Sequence, residues 1–165
     1  MKHSLISVIL AVVSLLWACS PGEILALKLE GTWKCAKLEL NTPLNHNIRN
    51  LIGDGKLTFV KNEGENGGNV TVEVNIKTVG FDNIYNARVV ANGAWTAYGT
   101  DEILLIFESK DILISTATPS KPLPLEVRDA IKQGFKDFSK INYINIKNGF
   151  LKGRISYNEI VMMKK

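Results

Sequence analysis

Few residues of this 165-residue chain could support nucleophilic chemistry, since it contains only two cysteines and two histidines. Cys35 and His46 are the residues that could form a thiol–imidazole dyad. Cys35 falls on the inward face of a predicted strand and His46 in a predicted loop, so nothing in the pattern would activate the thiol as a nucleophilic thiolate. We expect Cys35 to be a small buried side chain without a catalytic role.

Pairs of acidic residues could catalyse glycoside hydrolysis if their carboxyl groups faced each other across a cleft. The candidate pairs are Glu63 with Glu65, Asp101 with Glu102, and Glu126 with Asp129. Each pair falls in a loop, in a turn or on the polar face of a helix, which indicates solvated surface groups. The loop at 62–69 lacks the spacing of a calcium-binding loop, and no Gly-rich phosphate-binding motif is present. After the N-terminal segment described below, His46 is the single histidine, which excludes His-rich metal sites and any dyad of two imidazoles. No motif in this part of the chain supports an enzyme, so we expect no catalytic residues, no metal site and no cofactor.

The N-terminal segment has the organisation of a secretory signal. A short basic segment, residues 1–3, precedes an apolar run at 5–17. This run is about a dozen residues long, whereas a helix that crosses a bilayer needs about 20. We therefore interpret residues 1–18 as a signal peptide and exclude them from the fold.

The signal ends in Leu16-Trp17-Ala18-Cys19, which resembles the bacterial lipobox. In that motif a peptidase cuts before a cysteine that carries diacylglycerol, so the resemblance implies that Cys19 is the lipidated first residue of the mature protein. Trp17 departs from the motif, which usually has a small or β-branched residue at that position. The alternative is an ordinary secretory signal, cut after Ala18 or near Gly22.

Removal of the signal leaves 165 − 18 = 147 residues, which is the size of one domain. We expect a lipidated N-terminus and tether at 19–28 and a single domain at 29–165. The net charge is 20 − 16 = +4 for the whole chain, and the loss of Lys2 lowers it to +3. No block of basic residues is present, so we expect no nucleic-acid partner.

From Leu29 onward the pattern predicts about eight to ten antiparallel strands. Residues 70–77 alternate between apolar and polar side chains, as in a sheet with one buried and one wet face. A change of parity near 36–37 indicates a bulge, and Asn92-Gly93 indicates a bulge or a turn. Apolar residues at 48–52 have spacings of three and four, which are compatible with one short helix.

Two apolar runs, 103–109 and 112–116, are separated by a predicted turn at Lys110-Asp111. Both runs are apolar on both faces, which indicates that another element covers them. One amphipathic helix is predicted after them, at about 125–139. Its apolar stripe consists of Val127, Ile131, Gly134, Phe138 and Ile141. We expect this stripe to pack on the wall formed by the two runs, with a mobile lid as the alternative.

A meander of antiparallel strands must hide its edges, and closure into a barrel does so. The stretch LEGTWK at 29–34, with Gly31 and Trp33, resembles the opening of lipocalin-like bacterial lipoproteins, in which a Gly-x-Trp motif starts the first strand. A second match is Gly93-Ala94-Trp95, which resembles the hairpin of the same group. The C-terminal stretch ISYNEIVMMKK resembles its final strand pair.

The resemblance implies a mainly β fold, a lipocalin-like antiparallel barrel of the calycin type with about eight strands. It also implies that Trp33 packs under the barrel floor against an arginine from a late strand. Arg154 is the best-placed candidate for this cation–π contact. We expect Trp33 and Trp95 to be core residues without direct ligand contact.

These observations favour a lipoprotein of the bacterial cell envelope, anchored by its lipid in the outer membrane. The leading hypothesis is a binding module for a small apolar ligand, because barrels of this size can hold one. The runner-up is a protein–protein module, such as an envelope inhibitor of a lytic enzyme or a surface assembly component. Small lipoprotein barrels that inhibit lysozyme provide the analogy. The expected partners are the membrane, through the N-terminal lipid, and either a small apolar ligand or an envelope protein.

The lipobox interpretation makes a direct prediction about Cys19. A Cys19→Ser variant should lose its acyl chains and its membrane attachment, because the apolar run is too short to span a bilayer. Intact-mass measurement and membrane fractionation of the variant and the wild type provide the test. Continued membrane association of the variant, together with a wild type that carries no lipid, would contradict the interpretation.

Overall fold

The computed structural model describes residues 20–40, 48–80, 83–117, 122–156 and 158–164. Its eight strands are β1 (Gly31–Leu40), β2 (Ile48–Lys61), β3 (Gly67–Gly80), β4 (Asn83–Tyr98), β5 (Glu102–Thr116), β6 (Lys140–Lys147), β7 (Phe150–Ile155) and β8 (Asn158–Lys164). Two helices are α1 (Pro21–Leu29) and α2 (Leu125–Asp137). The predicted signal peptide at 1–18, the lipidation site Cys19 and His46 lie outside the described residues.

The strands form a closed antiparallel barrel in which each strand pairs with the next and β8 pairs with β1. The predicted fold class is therefore confirmed, and the architecture is consistent with a calycin-like fold. We call the end at which β1 begins and β8 ends the floor end, and the end at which β5 finishes the far end. Inside the barrel, the buried side chains of strands and helices merge into a single apolar cluster.

Strand β3 confirms the predicted alternation at 70–77. Val70, Val72, Val74 and Ile76 are buried, whereas the residues between them are partly or fully exposed. The predicted bulge near 36–37 is also confirmed, because Cys35 pairs with Gly55 while Leu38 pairs with Gly53, which leaves one extra residue in β1.

The short helix predicted at 48–52 is wrong, because these residues belong to β2. The pairing of β2 with β3 shifts register between Arg49 and Ile52. Such a bulge brings residues three apart to the same face of a strand. Ile48 and Leu51 are both buried for this reason, and their spacing imitates that of a helix.

Strands β4 and β5 are each continuous where the sequence predicts interruptions. Ala91 pairs with Ile112 and Gly93 with Phe107, so residues 108–111 of β5 lie opposite Asn92 alone. The predicted irregularity at Asn92-Gly93 is thus confirmed as a bulge, and the predicted turn at Lys110-Asp111 is wrong, because those residues form the other side of the bulge. A Cβ atom at Gly93 would overlap the carbonyl oxygen of Ile106, which explains the glycine at this close approach.

Residues 21–29 form helix α1, so the predicted tether at 19–28 is wrong for the part that the structure describes. Ser20 caps the helix, since its Oγ accepts a hydrogen bond from the Glu23 backbone N–H at 3.2 Å. Pro21 follows at a helix start, where proline is well tolerated. Leu25 and Leu29 are buried, and α1 contacts β4 and β2 across the floor end.

The predicted late helix is confirmed as α2, which ends at Asp137. It contacts β5 and, on the opposite side of the eight-strand ring, β1 and β2. The helix therefore spans between opposite sides of the barrel with its buried face inward, while polar residues on its other face, such as Arg128 and Lys136, are exposed. The inward-facing ring of Phe107 lies 5.8 Å from the Phe135 ring and 6.0 Å from the Phe138 ring, measured between centroids.

The prediction that another element covers both faces of the two apolar runs in β5 is wrong. Helix α2 packs on the inward face, while the outward-facing Ile106 and Leu113 are 65% and 62% exposed. Strand β6 pairs with β5 only at Ile103 and Leu104. Helix α2 contacts β5 at Phe107, beyond the two residues that pair with β6, so its buried face covers a part of β5 that β6 does not reach.

This arrangement predicts that α2 is structural. Phe135→Ala should lower the free energy of unfolding by about 3–5 kcal/mol, because it leaves a cavity beside Phe107. A domain of this size has about 5–15 kcal/mol in total. The matched control is Leu125→Ala on the same helix, where the side chain is 70% exposed. Thermal and denaturant unfolding measure both variants, and equal stabilities would contradict the packing of α2.

Candidate functional site

The floor of the barrel is built around Trp33. Its side chain is fully buried, and the Nε1–H donates a hydrogen bond to the backbone carbonyl oxygen of Leu29 at 2.6 Å. Leu29 is the last residue of α1, so the indole satisfies a carbonyl that the helix end leaves without an intrahelical partner. Gly31 has a φ of +117°, which lets the chain turn from α1 into β1.

A lysine covers the Trp33 ring, which corrects the prediction that Arg154 does so. Lys164 Nζ lies 5.5 Å from the centroid of the Trp33 ring, whereas the Arg154 guanidinium lies 5.8 Å from that of Tyr143. The register explains the difference, because Trp33 pairs directly with Lys164 in the β1–β8 ladder and Arg154 pairs with Asn142 and Glu159. A cation from a late strand thus covers the Trp33 ring, as the resemblance implies, but this cation is Lys164 and not Arg154.

The second Gly-x-Trp motif also supplies a core residue. Trp95 is 2% exposed, and its Nε1–H donates to the Val60 carbonyl oxygen at 3.3 Å. The Phe59 ring meets the Trp95 ring edge-to-face at a centroid distance of 5.3 Å. Both tryptophans are therefore core residues, as the sequence predicts, and each also donates a hydrogen bond to the backbone. Gly93 belongs to the bulge between β4 and β5.

Cys35 is a buried thiol with one hydrogen bond, from Sγ to the Lys37 carbonyl oxygen at 3.0 Å. Burial raises the pKa of this thiol from its ordinary value of 9.0 to about 11, so it stays protonated at neutral pH. A raised pKa in the folded state means that the contribution of Cys35 to stability is complete below about pH 9 and is lost as the pH rises towards 11. The thiol is therefore a poor nucleophile, as expected from the sequence.

The acidic residues considered for catalysis lie on the surface. Glu65 accepts a hydrogen bond from Asn62 Nδ2 at 2.7 Å within the exposed β2–β3 loop. Glu102 forms an ion pair with Lys140 at 2.7 Å. Glu126 and Asp129 are exposed on α2. Among the described residues, no group of three or more His, Cys, Asp or Glu side chains is placed to hold a metal ion.

Two depressions lie on the outside of the barrel, and both are lined by charged side chains. The larger, about 380 Å³, crosses β1 to β4 and contains Lys34, Lys56, Glu73 and Arg88. Within it, the Glu73 carboxylate lies 2.8 Å from Lys56 Nζ and 3.9 Å from an Arg88 terminal nitrogen. The smaller, about 300 Å³, surrounds the Lys140–Glu102 pair. Exposed ion pairs of this kind contribute little to stability, because their charged groups interact with water almost as readily as with each other.

The outer wall also carries an apolar strip that the sequence interpretation missed. Its members, Leu104, Ile106 and Leu113, face outward from β5, and we call them the β5 strip. Between Ile106 and Leu113, the bulge carries an exposed ion pair, with Lys110 Nζ 2.8 Å from a Glu108 carboxylate oxygen. In the two runs of β5, the residues that point inward and the residues that point outward are both apolar. This pattern predicts burial on both faces of the strand and therefore does not reveal an exposed strip.

Comparison with models of protein families and with curated proteins finds no match for this chain. Within the part of the chain that the structure describes, no helix is long and apolar enough to cross a membrane.

The floor predicts a graded response to substitution of Trp33. Trp33→Phe keeps an aromatic ring but removes the donor to Leu29, so it should cost about 1–3 kcal/mol, the penalty for an unpaired buried carbonyl. Trp33→Ala adds a cavity and should cost about 3–5 kcal/mol. Tyr98→Ala, at an exposed aromatic near the same end, is the control and should change stability little. Denaturant unfolding provides the measurement, and equal values for all three variants would contradict this account of the floor.

Proposed function

We propose that this protein is a lipocalin-like lipoprotein of the bacterial cell envelope that is anchored through Cys19 and binds a partner protein on the outer wall of its barrel. The observation that carries the proposal is the contrast between a filled interior and an uncovered apolar strip outside. An envelope inhibitor of a lytic enzyme or a surface assembly component would act in this way.

The interior supports a partner protein over a small apolar ligand. A small barrel holds a ligand only where its own side chains leave room. Here Trp33, Trp95, Phe135 and Phe138 are almost completely buried and belong to one apolar cluster. A ligand would have to displace close-packed side chains, which costs stability for every contact that is lost. The two helices add to this barrier, because α1 lies across the floor and α2 spans between opposite sides of the barrel with its buried face inward.

The β5 strip has the composition of a protein-binding patch. Ile106 and Leu113 are large apolar side chains with more than half of their surface in water. The ion pair of the bulge lies between them, and Arg88 lies one strand away, next to Ser115. An apolar centre beside polar and charged groups is typical of interfaces between proteins. Large apolar side chains exposed on one wall are otherwise an aggregation liability.

The anchor is supported by the lipobox resemblance at residues 16–19. The described chain begins at Ser20, and its first helix packs directly on the barrel. A protein held at the membrane in this way would present its wall to partners in the same compartment. Membrane attachment and partner binding are thus separate parts of the proposal, and each has its own test.

A photo-crosslinking residue placed at Ile106 should give one discrete protein adduct in the native host. The matched control is the same residue at Lys152, an exposed position on β7 that lies away from the β5 strip. Ile106→Asp should abolish binding of the partner protein to the β5 strip. It should leave the melting temperature unchanged, because the side chain is exposed. Native mass spectrometry of the wild type from its host completes the experiment. A small apolar molecule bound in a one-to-one ratio, with no Ile106 adduct, would overturn the proposal in favour of the ligand hypothesis.

A further inference from the structure

Nearly half of the exposed large apolar side chains among the described residues surround the floor end of the barrel. Six of these thirteen side chains lie on α1 or at the strand ends around it: Ile24, Leu27, Val60, Tyr98, Phe150 and Met163. Val60 and Tyr98 lie at the floor ends of β2 and β4, the two strands that α1 contacts. Phe150 and Met163 are a cross-strand pair where β7 begins and β8 ends. The set is therefore grouped around one end of the molecule.

Helix α1 is apolar on both of its faces. Leu25, Ala26 and Leu29 are buried against the barrel. Ile24 and Leu27, one helical turn apart, are 46% and 53% exposed on the other side. A surface helix normally carries polar residues on its solvent side. The outward face of α1 is thus suited to a second apolar environment.

The chain that precedes the structure emerges at this same end. Ser20 is held in place, since its Oγ accepts a hydrogen bond from Asn66 Nδ2 at 3.1 Å. Asn66 is itself fixed to β4, because its carbonyl oxygen accepts a hydrogen bond from the Ala97 N–H at 2.7 Å. Cys19 is the next residue, and a single residue spans at most about 3.6 Å. A lipid on Cys19 would therefore hold the floor end directly against a bilayer.

We propose that the floor end is a membrane-contact surface, in which Ile24, Leu27 and Tyr98 enter the interfacial region of the bilayer that holds the lipid of Cys19. This inference rests on the proposed lipidation of Cys19. In this arrangement α1 lies along the membrane plane with Ile24 and Leu27 at the boundary between headgroups and acyl chains, where interfacial helices reach a depth of about 5–10 Å. Tyr98 suits this layer because its ring is apolar and its hydroxyl is polar.

The floor end carries no excess of basic residues, which makes the contact apolar in character. The nearby charged residues are of both signs: Lys28, Lys61, Lys147 and Lys164, and Glu23, Glu30, Glu63, Glu65, Asp101 and Glu102. A membrane surface that attracts proteins by charge requires a clear excess of Lys and Arg. The membrane contact should therefore depend little on anionic lipid or on salt.

The orientation has a consequence for the rest of the molecule. With the floor end at the bilayer, the far end of the barrel points away from it. Leu113, near the far end of β5, then faces the aqueous compartment and remains accessible to a partner. Leu104 and Ile106, the other members of the β5 strip, lie closer to the floor end, so Leu113 is the member of the strip farthest from the membrane surface.

Site-specific labels can test this orientation. The full chain is purified from membranes as Leu27→Cys or Leu113→Cys, labelled with an environment-sensitive fluorophore, and added to preformed phosphatidylcholine vesicles. The two positions are matched, since both are leucines with more than half of their surface exposed. The buried Cys35 does not compete for the label, because burial keeps its thiol protonated. Tyr98→Cys provides a second position at the floor end.

We expect the labels at Leu27 and Tyr98 to lose quenching by aqueous iodide and to gain quenching by spin-labelled lipid, in low and high salt alike. The label at Leu113 should show the reverse. Iodide quenching at Leu27 equal to that at Leu113 would overturn the inference. Protection of Leu27 without vesicles would also overturn it and would indicate a second copy of the chain as the occupant. Intact mass reports the lipid on Cys19 separately, so a missing lipid identifies failure of the proposed anchor rather than of the orientation alone.

Discussion

The hydrogen bond from the Trp33 indole N–H to the Leu29 carbonyl oxygen, 2.6 Å long, joins the end of α1 to the first strand of the barrel. It holds the helix across the floor, where Leu25 and Leu29 complete the apolar interior. Closure of the sheet depends on the same position, because Trp33 also pairs with Lys164 in the ladder between β1 and β8. An eight-stranded barrel has no free edges only when its first and last strands meet. Inside the closed sheet, the buried side chains of the strands and of both helices form one apolar cluster.

Features that depend on local patterns could be predicted from the sequence. The alternation at 70–77, the bulge near 36–37 and helix α2 each leave a periodic signal within a few residues. Helix α1 was missed because its buried Leu25 and its exposed Leu27 are both apolar, which removes the contrast that marks an amphipathic helix. The bulge opposite Asn92 was interpreted as a turn because charged residues interrupt the apolar run, and only the pairing with β4 shows that β5 continues.

The candidate site was less predictable than the fold. The need for a cation over Trp33 followed from a family resemblance, but the choice between Arg154 and Lys164 depends on strand register, which composition does not encode. Apolar residues on both faces of β5 were interpreted as burial, although Ile106 and Leu113 face water. Such residues are expected where an evolved surface meets another apolar surface. The β5 strip and the floor end are therefore two places where the sequence departs from the simple rule of a polar exterior.

Hydrogen exchange at the Trp33 indole N–H measures whether α1 keeps the floor of the barrel closed, because this group is bonded to the last residue of the helix. Amides and indoles that open only with the whole domain exchange at the rate set by global unfolding. We expect Trp33 Nε1–H to exchange this slowly, at the rate of the most protected amides of β3 and β4. Fast exchange at Trp33 while those amides stay protected would mean that α1 leaves the floor independently, and it would contradict the account.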